Sequence, residues 1–174
     1  MNYKQGDLLI AFKDDEVNVI MHQCNCTVGM GAGIAKEIAR EFPIVNLIND
    51  ELLDQSDIEG KCYPIAITNK KYIVNLYSQY YPGAPSEREI LFGENKGNLD
   101  TFRQRLNWLR KSLKMYVEEY SNKDDIIGLP LIASGLAADK NKKNGLSDLE
   151  YFKKYIAPTI EEELQNFNVT VYYL

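Results

Sequence analysis

Short apolar runs and longer amphipathic stretches take turns along this chain, and the spacing of the apolar positions assigns most of it to strands or helices. Residues Asp7–Phe12 (DLLIAF) and Val17–Gln23 (VNVIMHQ) predict strands, the second apolar enough to be covered on both faces. Gly33–Phe42 sets Ile34, Ile38 and Phe42 four apart on one helical face, and Pro43 predicts the end of that helix. Two β-branched runs, Lys61–Thr68 and Lys71–Ser78, predict strands joined by a turn at Asn69. Proline and glycine in Tyr80–Asn98 predict a loop. Leu99–Tyr120 predicts a long helix with a stripe of Phe102, Leu106, Leu109, Leu113 and Val117. Asp125–Ile132 reads as a buried strand running into ASGLAADKNKKNG. Ser147–Phe167 reads as a helix interrupted at Pro158, and Val169–Leu174 as a terminal strand. No repeat or linker divides residues 1–174, so one domain is expected, a three-layer α/β unit with a mostly parallel sheet.

Composition narrows the classes. The 174 residues are 45% hydrophobic and 26% charged, as in an ordinary globular protein. No apolar run approaches the roughly 20 residues of a membrane helix. The first residues turn acidic where a signal peptide would be apolar, so a cytoplasmic location is expected, with no membrane partner. One histidine and three cysteines without C-x-x-C spacing leave no metal site to expect, and no cofactor is implied. A net charge of −5 argues against general nucleic-acid binding, which needs a basic face.

Two glycine loops carry the candidate chemistry. The strand VNVIMHQ leads into CNCTVGMGAG and a helix, where Gly29, Gly31 and Gly33 let backbone approach a ligand closely. A helix beginning at Gly33 would present free N–H groups to an anion. A tight turn without ligand uses the same residues. The spacing G-x-G-x-G differs from the dinucleotide fingerprint, and no Lys-Ser/Thr pair follows as in a triphosphate loop. A second loop, Ala133-Ser134-Gly135-Leu136-Ala137, ends strand IIGLPLI at the same sheet edge and could clamp a diphosphate from the other side.

The order of Gly6-Asp7-Leu8, HQCNC…GMGAGIA, ASGL and VYYL resembles the macro domain family of ADP-ribose-binding modules over nearly the whole chain. Within it the motifs look most like the yeast-type ADP-ribose 1″-phosphate phosphatases, and are also similar to the branch that removes ADP-ribose from glutamate or DNA. The resemblance implies a three-layer α/β/α macro-domain-like fold with a mixed, mostly parallel central sheet. It implies ADP-ribose or ADP-ribose 1″-phosphate as ligand, with nucleic acid expected only as an ADP-ribosylated substrate. Residue by residue, Asp7 with Leu8 would meet the adenine and Asn25 the distal ribose. Gly31, Ala32, Gly33 and Ile34 would wrap the diphosphate, closed over by Ser134, Gly135, Leu136 and Ala137. Tyr172 would pack on the adenine.

In the phosphatase relatives a histidine in the H-x-C-N context is thought to act at the terminal phosphate. That implies His22 as base or nucleophile, with Asp139 as the candidate carboxylate beside it. A lone histidine at the end of a buried strand is equally a hydrogen-bonded structural residue. The glutamate- or DNA-cleaving branch places a lysine after the central strand and an aspartate after the second glycine loop. Here Gln79 and Ala137 stand near those places, which disfavours a lysine-adduct mechanism; the alternatives to the phosphatase are an ADP-ribosyl hydrolase acting on glutamate or nucleic acid and a non-catalytic reader. The lysines of Asp139–Gly145 read as a solvated loop or as an attraction for an extra phosphate. Tyr80–Asn98 reads as a candidate lid.

Overall fold

The computed structural model describes residues 1–27, 29–53 and 57–174. Its elements in order are β1 (Asn2–Gln5), α1 (Leu8–Lys13), β2 (Val19–Asn25), α2 (Gly33–Glu41), α3 (Pro43–Leu53), β3 (Cys62–Ala66), β4 (Tyr72–Gln79), α4 (Phe102–Glu119), β5 (Ile126–Pro130), α5 (Lys140–Lys143), α6 (Asp148–Tyr151), a π-helical turn (Phe152–Ile156), α7 (Ala157–Glu163) and β6 (Asn168–Tyr173). The strands form one sheet in the order β1-β6-β5-β2-β4-β3. Every pairing is parallel except the β3–β4 hairpin, closed by Ile67 N–H donating to the Lys71 carbonyl at 2.9 Å. This is the mixed, mostly parallel α/β sheet that the alternating pattern predicts.

Apolar side chains of β2 alternate between two cores, which is why the strand lacks a polar face. Val19 and Met21 join a core with Leu109, Leu113 and Tyr116 of α4 and Ile156 and Ile160 near α7. Ile20 points the other way, to Leu8, Phe12, Ile38 and Val45 of α1, α2 and α3. Helix α1 lies close on β5 because Gly128 has no side chain: a Cβ there would come within 2.6 Å of Leu8 Cδ1.

Three local expectations change. The run Asp7–Phe12 is not a strand; β1 lies before it, and Asp7 caps α1 by accepting from Leu9 N–H at 2.7 Å and Ile10 N–H at 3.1 Å. Leu8, Leu9, Ala11 and Phe12 are buried while Ile10 and Lys13 face out, a helical stripe too short to tell from an apolar strand. Pro43 does not only end α2; as first residue of α3 it starts the next helix, where its missing N–H costs nothing. The interruption at Pro158 takes the form of the π turn: Pro158 has no N–H to give to residue 154, and Ala157 N–H reaches back to the Phe152 carbonyl.

What positions the site is the parting of β2 and β5. They pair only at Val19–Ile127 and Ile20–Gly128, whereas β2 follows β4 up to Asn25. Past that point β2 leaves through α2 and α3 toward β3 and β4, and β5 leaves toward β6. A crevice at the carboxyl ends of strands that separate this way is where open α/β sheets take ligands.

Candidate functional site

Five parallel strands deliver the candidate residues to one sheet edge. Along it stand Asp7 after β1, Tyr172 on β6, Ala133–Ala137 after β5, Asn25 and Gly31–Ile34 after β2, and Gln79 closing β4. Residues that the sequence separates by up to 165 positions thus form one line across the crevice. A register shift between Cys24 and Asn25 pairs Asn25 with Gln79 and re-aims the strand end, and Asn25 Oδ1 accepts from Thr27 N–H at 3.2 Å.

The first glycine loop is open. Gly31, Ala32 and Gly33 are exposed, and Gly33 takes φ +57°, in the left-handed region. Helices α1, α4, α5 and α6 are capped by Asp7, Thr101, Asp139 and Ser147, but Ala32 at the start of α2 supplies no side-chain acceptor. The N-terminal N–H groups of a nine-residue helix therefore lack a capping side chain where an anion would sit.

The second loop is braced. Ala133 sits at φ +59°, a strained position for a residue with a Cβ. Ser134 is fully buried, its Oγ donating to the Ile132 carbonyl at 3.1 Å, so only its backbone can face a ligand. Lys143 Nζ donates to the Ser134 carbonyl at 2.8 Å and pairs with Asp148. Ala138 N–H donates to the Gly135 carbonyl at 3.1 Å. Leu136 is 80% exposed at the rim.

The eleven glycines sort informatively. Seven have positive φ, and at Gly29 and Gly128 a Cβ would crowd its neighbours. Gly31 and Gly135 have neither reason: their φ is not left-handed, and among the described residues nothing lies within 4 Å of an added Cβ. Each sits in one of the two loops flanking the crevice. Within the described residues, neither a left-handed φ nor a close neighbour accounts for glycine at these two positions.

At the β1 end of the sheet, Asp7 is exposed with one carboxylate oxygen used in the cap, and the next residue, Leu8, is buried. Tyr172 is only 5% exposed, packed in the core beside Leu8, its hydroxyl donating to Glu16 at 3.3 Å.

His22 and Asp139 are not brought together. His22 points to the same sheet face as Ile20 and is completely buried, its Nε2 2.7 Å from Asn75 Oδ1. Burial pushes its pKa down to about 4, against the hydrogen bond to Asn75. The expected base or nucleophile is thus a neutral ring shut away from water in the unliganded protein. Asp139 lies across the sheet beside Tyr151, whose hydroxyl accepts from its N–H at 3.0 Å. Its carboxylate caps α5, accepting from Asn141 and Lys142 N–H at 3.0 and 3.1 Å. Of the lysines in this segment, Lys140 and Lys142 are exposed, Lys142 5.1 Å over the Phe102 ring, while Lys143 braces the second loop.

The segment Tyr80–Asn98 is tied down rather than left as a loose cover. Asp100, fully buried, accepts from Tyr80 N–H at 3.2 Å and Tyr81 N–H at 3.1 Å. Arg105 bonds the same carboxylate at 2.9 Å and the Gly83 carbonyl at 2.6 Å. Sequence reasoning missed this pair, and an i, i+5 spacing on a helix start gives no signal for it. It also missed Asn75, although an asparagine inside the apolar run YIVNLYSQ was a usable one.

No protein-family model matches the sequence. It is 32% identical over 111 residues to a protein of Enterobacteria phage T4 described as the uncharacterized 17.5 kDa protein in the tk-vs intergenic region, matching 55% of this chain and 70% of that one. Among solved structures it is similar to the macrodomain of Mycobacterium tuberculosis DarG (TM-score 0.66, 18% identity, 99% of this chain and 97% of that one). The macrodomain of Thermus aquaticus DarG gives TM-score 0.64 at 21% identity, with the same coverage. Thermosipho africanus DarTG, solved in complex with ADP-ribose, gives 0.63 at 15% identity, covering 99% of this chain and 41% of that one. The fold is the macrodomain fold.

Proposed function

Because this chain belongs to the family of the phage T4 17.5 kDa protein and has the macrodomain fold, we propose that it binds ADP-ribose along the carboxyl edge of its sheet. The observation that carries this reading is the pair Gly31 and Gly135, bare positions in two facing loops that the fold itself does not need bare. The uncapped start of α2 supplies N–H groups for the diphosphate. Asp7 stands at the far left of the same edge for the adenine amino group, and Asn25 at the right for the distal ribose. The complex of a neighbour with ADP-ribose supports the same ligand.

Phosphatase action on ADP-ribose 1″-phosphate, the yeast-type reading, is the second proposal. It draws support from the strain at Ala133, since strained backbone gathers at working sites. In that reading the chemistry falls to a group other than His22, whose buried ring offers no lone pair to an outside water. Calorimetric titration with ADP-ribose, AMP and NAD tests the first proposal, and ADP-ribose should bind most tightly. Phosphate release from ADP-ribose 1″-phosphate tests the second. Tight binding with neither phosphate release nor release of ADP-ribose from modified glutamate or nucleic acid assigns a reader.

A further inference from the structure

The polar side chains buried behind the first glycine loop form a continuous chain that ligand binding does not account for. His22 Nε2 meets Asn75 Oδ1 at 2.7 Å, Asn75 Nδ2 donates to the Tyr77 hydroxyl at 3.3 Å, and that hydroxyl donates to Asn49 Oδ1 at 2.9 Å. With Asn75 Oδ1 toward the ring, Nε2 is the donor of this bond, and Cys24 Sγ lies 3.8 Å from Nδ1. His22 and Asn75 are fully buried, Tyr77 and Asn49 at 1% exposure. A core that needed only stability would fill this space with apolar groups, because each buried polar atom must find a partner.

The chain ends where the loop is held. In α3, Ile44 and Leu47 face outward, while Val45 and Asn49 turn inward and are buried, so Asn49 is one of the anchors that set the helix. The next residue, Asp50, backs Gly29: a Cβ on Gly29 would lie 3.2 Å from Asp50 Oδ1 and 3.9 Å from Asn46 Oδ1. At its other end His22 stands three residues before Asn25, on the strand whose bulge aims that residue. We propose that His22 is a positioning residue: through Asn75, Tyr77 and Asn49 it fixes α3 against β2 and β4, and α3 sets the path of the first glycine loop. This inference rests on the ADP-ribose reading, for which that loop meets the diphosphate and distal ribose but not the adenine.

The test titrates ADP-ribose and AMP into the full chain and three variants, each first checked for folding by circular dichroism. Tyr77→Phe removes only the hydroxyl link, His22→Ala removes the origin, and His22→Gln keeps an amide N–H for Asn75. Tyr77→Phe and His22→Ala should lose about tenfold in ADP-ribose affinity, with AMP affinity changed by less than about twofold, and His22→Gln should recover most of the loss. Unchanged ADP-ribose affinity, or equal losses for both ligands, makes the chain purely structural and overturns the inference. If His22→Ala does not fold, Tyr77→Phe decides the matter by the same split. A wild type that binds AMP but not ADP-ribose, or neither, overturns the ADP-ribose reading itself, and this inference with it.

Discussion

The two glycine loops look equivalent in sequence and are built on opposite principles. The first has bare, exposed backbone, a left-handed glycine and an uncapped helix behind it; its support comes from α3 through Asp50 at Gly29. The second is held by its own bonds, with Ser134 buried, Lys143 on its carbonyl and Ala133 strained. The first therefore presents helix N–H groups without a capping side chain, and the second a braced wall with Leu136 at its rim. One loop is exposed backbone and the other is held by its own bonds, so substitutions should act on them differently.

The largest effect is expected at Gly33. Gly33→Val should abolish detectable ADP-ribose binding, since the new side chain occupies the diphosphate position, and should also cost about 1–3 kcal/mol of stability from a left-handed β-branched residue. Gly31→Val and Gly135→Val sharpen the comparison. Each should lower ADP-ribose affinity by about a hundredfold or more while changing stability by only about 0.5 kcal/mol, because the added Cβ meets nothing in the unliganded fold. Calorimetry paired with thermal melts separates the two quantities.

Asp7→Ser comes next. Serine keeps the cap of α1 but removes the carboxylate, so stability should hold within about 0.5 kcal/mol while ADP-ribose affinity falls roughly tenfold to a hundredfold. Ribose 5-phosphate, which lacks the adenine, should lose much less. Equal losses would place adenine elsewhere. Lys143→Met, which unties the second loop, should weaken ADP-ribose binding by only about threefold, since the Ser134 side chain and the Gly135–Ala138 bond still hold the turn. A loss as large as that at Gly31 would mean the second loop is no more rigid than the first.

A separate effect is on stability rather than binding and follows pH. His22 is neutral in the fold with its pKa lowered to about 4, whereas the unfolded chain binds a proton near 6.5. The unfolded state therefore holds more protons between those values, and unfolding free energy should fall by up to about 1.4 kcal/mol per pH unit as pH drops from about 6.5 to 4. Above that window His22 contributes no slope. Urea melts of wild type and His22→Gln check it, and the variant should lack this part of the slope.

The sequence carried the strand–helix alternation well because β2, β4 and β5 are apolar on both faces and α4 has a long stripe. It misplaced Asp7–Phe12 because six residues cannot distinguish a helical period from an apolar run; the cap at Asp7, with its N–H partners two and three residues on, was the better clue. The edge residues of the crevice were legible because glycine and turn residues mark strand ends. The burial of His22 was not. Its position in the sequence, three residues before Asn25, suggests the site, and only the pairing of β2 with β4 shows that the ring turns inward to Asn75. For the same reason Asp139, a residue beyond the second loop, is a helix cap across the sheet.

The central claim is that the crevice between the two loops takes ADP-ribose, and the most direct measurement is a calorimetric titration of ADP-ribose into wild type, Gly31→Val and Gly135→Val at matched melting temperature. The account predicts saturable one-to-one binding to the wild type and binding weaker by about a hundredfold or more in either variant. Variants that titrate like the wild type, or a wild type that gives no heat at any temperature tested and no thermal shift, would contradict it.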